Sequence, residues 1–234
     1  MDVSIIFEDE HIIVAVKPYG VLSEAHDKQP NLPAMLKAQI GCEVYPVHRL
    51  DKTTEGLTVY AKTAPAAAKL SQAIRRGEVE KTYLAVVGGI PDESGKLTDL
   101  LYYDRSRNKS YVVRRERKGV RQAELCYERL CTAKIDGNTA SVVRIRLLTG
   151  RTHQIRVQFA SRKMPLVGDR RYGSHIPADN IALCSAELRF CHPMTGKEMH
   201  FEFVPTDTAF PSGKGVAQRV TDEGQTFPLS PQTQ

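Results

Sequence analysis

Short apolar runs of strand length recur along most of this chain, and turn residues cut them at close intervals. This feature constrains the fold more than any other. Runs of this kind fall at residues 3–7 and 12–16, 57–62, 81–87, 121–131, 139–148, 181–190 and 198–204. Acidic or glycine-bearing turns such as Glu8-Asp9-Glu10-His11 and Asp136-Gly137-Asn138 separate several of them. Helical spacing is confined to residues 32–40, 65–76 and 152–162. Strands and helices do not alternate in the rhythm that a doubly wound parallel sheet requires. The chain therefore reads as α+β, with a central mixed, mostly antiparallel sheet and flanking helices and loops.

With 234 residues the chain can bury a core without disulfide staples. Its five cysteines form no C-x-x-C pair, and Cys184 and Cys191 are too far apart for a zinc knuckle, so reduced thiols in a cytoplasmic protein are expected. No secretory signal and no apolar run of membrane-spanning length is visible, so no membrane partner is expected. A monomer is expected. Residues 212–234 are rich in Gly, Ser, Thr, Gln and charge and read as a mobile tail behind a domain spanning 1–211.

The chain carries a net charge of +6, which suits a polyanionic partner. Between residues 104 and 121, Arg105, Arg107, Lys109, Arg114, Arg115, Arg117, Lys118 and Arg121 face only Asp104 and Glu116. As a functional element this is a loop or hairpin lying along RNA phosphates. Taken as charge alone it is a solvated basic hairpin.

Five segments carry chemistry. In Val47-His48-Arg49-Leu50-Asp51-Lys52, cations flank one carboxylate, an arrangement that favours an ionised nucleophile near a phosphate backbone. The same residues also describe a surface salt-bridge cluster. In Lys81-Thr82-Tyr83-Leu84-Ala85-Val86, a lone Tyr interrupts an apolar strand and is placed either to stack on a pyrimidine or to fill the core. Thr149-Gly150-Arg151-Thr152-His153-Gln154-Ile155-Arg156 reads as a helix start, with Thr152 as N-cap and His153 and Arg156 on one face. Gly168-Asp169-Arg170-Arg171-Tyr172-Gly173 is a turn-rich loop, and His192-Pro193-Met194-Thr195-Gly196 is a tight turn.

Taken in this order from about residue 4 to residue 210, the five segments closely resemble the RluA-type pseudouridine synthases. The resemblance implies a catalytic domain that isomerises uridines in folded RNA, with ribosomal RNA favoured and transfer RNA the alternative, and with no cofactor or metal. It implies Asp51 as the catalytic carboxylate, Tyr83 as the residue that stacks on the base and transfers a proton, and Arg156 as the cation paired with Asp51. Arg49 would enter the RNA helix as the base leaves. His48, Lys52, Arg151, His153, Arg114, Arg115 and Arg117 complete the expected RNA contacts. Two positions depart from the family pattern: Glu55 stands where Ser is usual before Gly-Leu, and Cys184 where His is common. The pattern starts almost at Met1, so no separate N-terminal RNA-binding domain is expected.

Two other functions compete. A non-catalytic RNA-binding or ribosome assembly protein on the same fold would not need Asp51, Tyr83 and Arg156 together. A metal-dependent hydrolase would use His48, Asp51, His153 and His192, whose spacings match no zinc motif.

Overall fold

The structure is a computed structural model, and it describes residues 2–205 and residue 210; the tail expected at 212–234 lies outside the described residues. Among the described residues, eleven strands form one sheet. They are β1 (Ile5–Glu8), β2 (Ile12–Lys17), β3 (Tyr45–Pro46), β4 (Glu55–Ala61), β5 (Glu80–Gly88), β6 (Ser94–Asp104), β7 (Lys109–Val113), β8 (Val120–Ile135), β9 (Asn138–Leu147), β10 (Leu183–Cys191) and β11 (Glu198–Glu202). The main path runs β1-β2-β4-β10-β5-β9-β8-β6-β7, with β3 on β4 and β11 on β10. Among these eleven strands only β4 and β10 pair in parallel; the other pairings are antiparallel. The sheet is thus mixed and mostly antiparallel.

The turns explain much of the strand order. Asp9 Oδ1 accepts the His11 and Ile12 N–H groups at 2.7 and 2.8 Å, which closes the β1–β2 corner. Asp136 and Gly137 both take positive φ (47° and 76°), as a two-residue hairpin between β8 and β9 demands. Gly56, at φ 109°, sits where β4 meets β10, and a Cβ there would lie 2.3 Å from the Ser185 carbonyl oxygen. Only glycine lets these two strands approach.

Three helices cover the sheet. α1 (Leu32–Ile40) is capped by Asn31, whose side chain accepts the Ala34 N–H, and stops at left-handed Gly41. α2 (Ala64–Arg76) is capped by Thr63, carries Arg75 and Arg76 at its negative end, and stops at Gly77. α2 buries Ala66 and Leu70 against Val14, Leu57 and Val59. Leu70 is 1% exposed, so its truncation to Ala would cost about 2–5 kcal/mol. α3 (Gln154–Ser161) packs Ile155 and Phe159 onto the sheet face that carries Tyr83, Ala85 and Val87, while Leu84 and Val86 of β5 face the opposite cluster. That alternation sets Tyr83 beneath α3.

Two expectations are corrected. The cap of α3 is His153, in a left-handed conformation and with no side-chain cap bond; Thr152 does not fill that place. A further strand, β6, spans residues 94–104. Its buried Leu97 and Leu101 share one face, but Asp99 stands between them there and hides the two-residue period from the sequence. The basic run 104–121 forms the tip of the β6–β7 hairpin, β7 itself, and the link into β8. All five cysteines are unpaired. No helix among the described residues is long and apolar enough to cross a membrane.

Candidate active site

Asp51 lies in the loop between β3 and β4, and this loop is anchored along its length. Ser23 Oγ donates to the Leu50 carbonyl and accepts the Leu50 N–H, both at 3.0 Å. The Gly20 N–H donates to the Lys52 carbonyl at 2.8 Å, and Thr54 N–H to that of Asp51 at 2.9 Å. Leu50 is buried with Tyr83 and Ile155, so the residue next to Asp51 is fixed in the core beneath α3. Lys17 is fully buried under the loop and donates to the carbonyls of Pro18, Val21 and Lys52. Burial pulls the Lys17 amine down to about 8, against the opposing charges of Asp51 and Glu55.

Two cavities meet at Asp51. One of about 560 Å³ lies between the 47–54 loop, the start of β5 and the 146–156 segment, and both Tyr83 and Arg151 line it. The other, of about 400 Å³, lies toward residues 22–26, Asn108 and Arg171. Asp51, His153 and Arg156 line both. The Asp51 side chain keeps 22% of its surface exposed, so the carboxylate is reachable but not bathed in water.

The guanidinium of Arg156 faces two carboxylates. Nε and Nη2 donate to Asp169 Oδ2 and Oδ1 at 2.6 and 2.9 Å in a buried bidentate pair. Nη1 donates to Thr53 Oγ1 at 3.3 Å and stands 4.0 Å from Asp51 Oδ2. Burial disfavours this charge, but Asp169 first and Asp51 after it raise the Arg156 pKa above its ordinary value. The tight partner of Arg156 is therefore Asp169, with Asp51 met by the remaining edge. Arg156 also lies over the ring of Tyr172, 5.0 Å from its centroid.

Tyr83 is 6% exposed. Burial, and then the Asp51 charge, raise its hydroxyl pKa, while a hydrogen bond with Ser185 lowers it. It is a neutral phenol in the resting site. His153 is buried with Nε2 3.9 Å from Asp51 Oδ2 and Nδ1 3.0 Å from the Tyr172 hydroxyl.

The expected RNA contacts occupy three places. Arg49 is exposed at the rim of both cavities and pairs with exposed Glu24 at 3.3 Å, a contact of little energetic weight. Lys52 is exposed on the rim of the smaller cavity and donates to Gln29 at 3.1 Å, and exposed Arg151 donates through Nε to the Gln122 carbonyl at 3.0 Å. Arg114, Arg115 and Arg117 are exposed on the β7–β8 link and line neither cavity; Arg117 stacks on Tyr102. His48 turns inward instead: Nε2 accepts the Val59 N–H at 3.2 Å, and burial, then Lys81, hold the imidazole well below its ordinary pKa.

The four residues of the hydrolase reading do not converge. His48 is tied to β4, and His192 Nε2 stands 2.9 Å from Asp9 Oδ2. Among the described residues, the group of ligand-type atoms that does cluster, Glu187, His200 and Glu202, lies on β10 and β11, where Arg189 already pairs with Glu187 at 2.7 Å. Sequence reasoning gave no role to Asp169 or Tyr172. The signal for them is their place in the turn-rich segment after Gly168, one of the five that carry the family resemblance; the φ of 78° at Gly168 and its close approach to the Asn180 carbonyl again require glycine.

A family model described as RNA pseudouridylate synthase matches residues 11–161. A tRNA pseudouridine synthase C of Vibrio parahaemolyticus is 28% identical over 89% of this chain and 92% of its own length. A ribosomal large subunit pseudouridine synthase D of Zymomonas mobilis is 34% identical over 85% of this chain and 68% of its own. The solved structure of human RNA pseudouridylate synthase domain containing 1 has the same fold. Its TM-score is 0.74 at 22% identity, covering 87% of this chain and 84% of that one.

Proposed function

This chain belongs to the RNA pseudouridylate synthase family and is an RluA-type RNA pseudouridine synthase, and we propose that Asp51, Tyr83 and Arg156 form its catalytic centre. The observation that carries this reading is the convergence on one cavity of a reachable carboxylate, a guanidinium at 4.0 Å and a buried neutral tyrosine. Residues 1–211 act as the catalytic unit, in the cytoplasm and as a monomer. The target is a uridine in structured transfer or ribosomal RNA.

The target base is stacked in its helix and must be flipped into the cavity, at a cost of roughly a few kcal/mol. Phosphate contacts from the 104–121 run and the rim cations Lys52 and Arg151 offset that cost. Arg49 gives up a weak surface pair to fill the vacated stack.

Asp51 then breaks the bond between ribose C1′ and uracil N1. Two routes share this geometry. In one the carboxylate attacks C1′ and forms a sugar ester. In the other it removes the C2′ proton and leaves a glycal. Both require a charged carboxylate in a low-dielectric site, and Arg156 supplies the countercharge. The uracil turns against the Tyr83 ring and C5 bonds to C1′: in the first route this displaces the Asp51 carboxylate from its ester, and in the second Asp51 returns the proton to C2′. The C5 proton leaves last, relayed by the Tyr83 hydroxyl toward N1, which ends protonated in place of its lost bond to the sugar. Atoms and electrons balance within the nucleotide, so the reaction needs no redox cofactor.

The test is to map pseudouridines across total RNA from cells with and without this gene. At least one site should vanish with the gene. An unchanged map would refute the reading.

A further inference from the structure

We propose that His153 is a positioning residue of the isomerisation: Tyr172 holds it in its Nε2–H form, and it steadies the same oxygen of Asp51 that faces Arg156. The proposal rests on Asp51 being the reacting carboxylate. It gives His153 a part other than the phosphate contact expected from sequence.

The backbone supplies the first argument. His153 is a buried residue other than glycine at φ 55° and ψ 24°, which costs about 1–2 kcal/mol. Its surroundings impose this conformation. Gln154 N–H donates to the Arg151 carbonyl and Val157 N–H to that of His153, while Ser110 Oγ of β7 donates to the Thr152 carbonyl at 2.5 Å. Strain of this kind persists where the local structure over-determines it, and it is concentrated at functional sites. Here it delivers an imidazole to the wall shared by both cavities.

Proton counting supplies the second. The Tyr172 hydroxyl accepts the Ser110 N–H at 2.8 Å, and its single proton can go to His153 Nδ1 at 3.0 Å or to the Ser110 carbonyl at 3.2 Å. At the other end of the ring, Nε2 faces Asp51 Oδ2 at 3.9 Å. A bare Nε2 would set a lone pair against a carboxylate. The form that satisfies both ends has the proton on Nε2 and Nδ1 accepting from Tyr172. Burial pulls the His153 pKa down, with Asp51 opposing and Arg156 and Arg171 adding to the drop, so the neutral ring is the resting form. Edge-on contacts with Tyr172 at 86° and Tyr103 at 84° hold the ring plane.

His153 Nε2 and Arg156 Nη1 thus converge on Oδ2 of Asp51, at 3.9 and 4.0 Å, and leave Oδ1 to meet the ribose. These separations exceed hydrogen-bond length, and catalytic contacts of this kind tighten when substrate enters. Tyr172 also joins the pair to the basic hairpin through Ser110, so RNA held on the hairpin bears on the geometry at Asp51.

His153→Asn tests this cleanly. Asn tolerates the left-handed conformation but is too short to bring a donor to Asp51. Single-turnover rates and filter-binding affinities would be measured on bulk RNA from cells lacking the gene. The rate should fall about ten- to a hundred-fold, with affinity unchanged. The ¹⁵N spectrum of the wild-type imidazole should show the Nε2–H form, and Tyr172→Phe should mix the two tautomers and slow the reaction less. Asp51→Asn, run alongside, separates the two claims: turnover by that variant would sink the catalytic reading itself. An inert Asp51→Asn beside a wild-type rate in His153→Asn overturns this proposal alone. So does weakened RNA binding with the rate intact, or an Nδ1–H wild-type ring.

Discussion

Asp169→Asn removes one charge from the most deeply buried ion pair at the site and leaves its shape unchanged. Asp169 is fully buried and the Arg156 side chain is only 4% exposed, so the guanidinium would remain in a low-dielectric setting without its bidentate partner. Breaking a buried pair from one side costs about 3–5 kcal/mol. The retained amide oxygen places this variant near the lower end, at about 3 kcal/mol. For a domain of this size that corresponds to a fall in Tm of roughly 6–12 °C. Arg156 Nη1 would also lose its fixed aim at Asp51, and turnover should drop at least about tenfold. Differential scanning calorimetry and a pseudouridine formation assay read the two effects. The double variant Asp169→Asn, Arg156→Leu, which removes both buried charges, should recover much of the stability and none of the activity. A wild-type Tm for Asp169→Asn, or a double variant as unstable as the sum of the singles, would refute the reasoning.

Other outcomes follow from the same structure. Replacing Arg114, Arg115 and Arg117 with Ala should weaken RNA binding and reduce the slope of log affinity against log salt by about 2 to 3; an unchanged slope would show that the β7–β8 link does not touch RNA. Gly56→Ala should cost about 3 kcal/mol or more, because φ is 109° and the new Cβ would lie 2.3 Å from the Ser185 carbonyl; wild-type thermal stability would count against it. Burial holds Lys17 and Lys81 at about 8 in the folded protein, below the unfolded value. Between about pH 8 and about pH 10 the unfolded chain therefore binds more protons, and stability should rise by up to about 1.4 kcal/mol per pH unit for each lysine. Above that range it should fall, because burial keeps the Tyr60 and Tyr83 hydroxyls protonated in the folded state. Urea midpoints across this range that are flat, or that fall from about pH 8, would contradict the assignment.

Much of this architecture was legible in the sequence, and the reasons for the rest are physical. The helical spacing at residues 32–40 and 65–76 falls on α1 and α2, whose ends the structure shows closed by Asn31 and Thr63 and by Gly41 and Gly77, because a helix must satisfy its own terminal groups. The alternation in β5 shows which residues share a face with Tyr83. β6 stayed hidden because Asp99 stands between its two buried leucines on the same face and breaks the apolar alternation. The parallel contact of β4 with β10 joins segments far apart in the chain, through a glycine whose need is set by Ser185. At the site, the flanking cations of Asp51 suggested a charged carboxylate, but the partners that face it come from the far side of the fold. Arg156 meets Asp169 across a loop, and His153 is aimed by a left-handed turn that sequence could only describe as a helix start. Lys17, which lies beneath the loop of Asp51, gave no sequence signal beyond ending a strand.

The most direct test of the central claim is tritium release from RNA labelled at uridine C5, because rejoining through that carbon frees its hydrogen. The wild-type protein should release tritium from bulk RNA of cells lacking the gene. Asp51→Asn should bind the same RNA and release none. Release by Asp51→Asn at the wild-type rate would contradict the account.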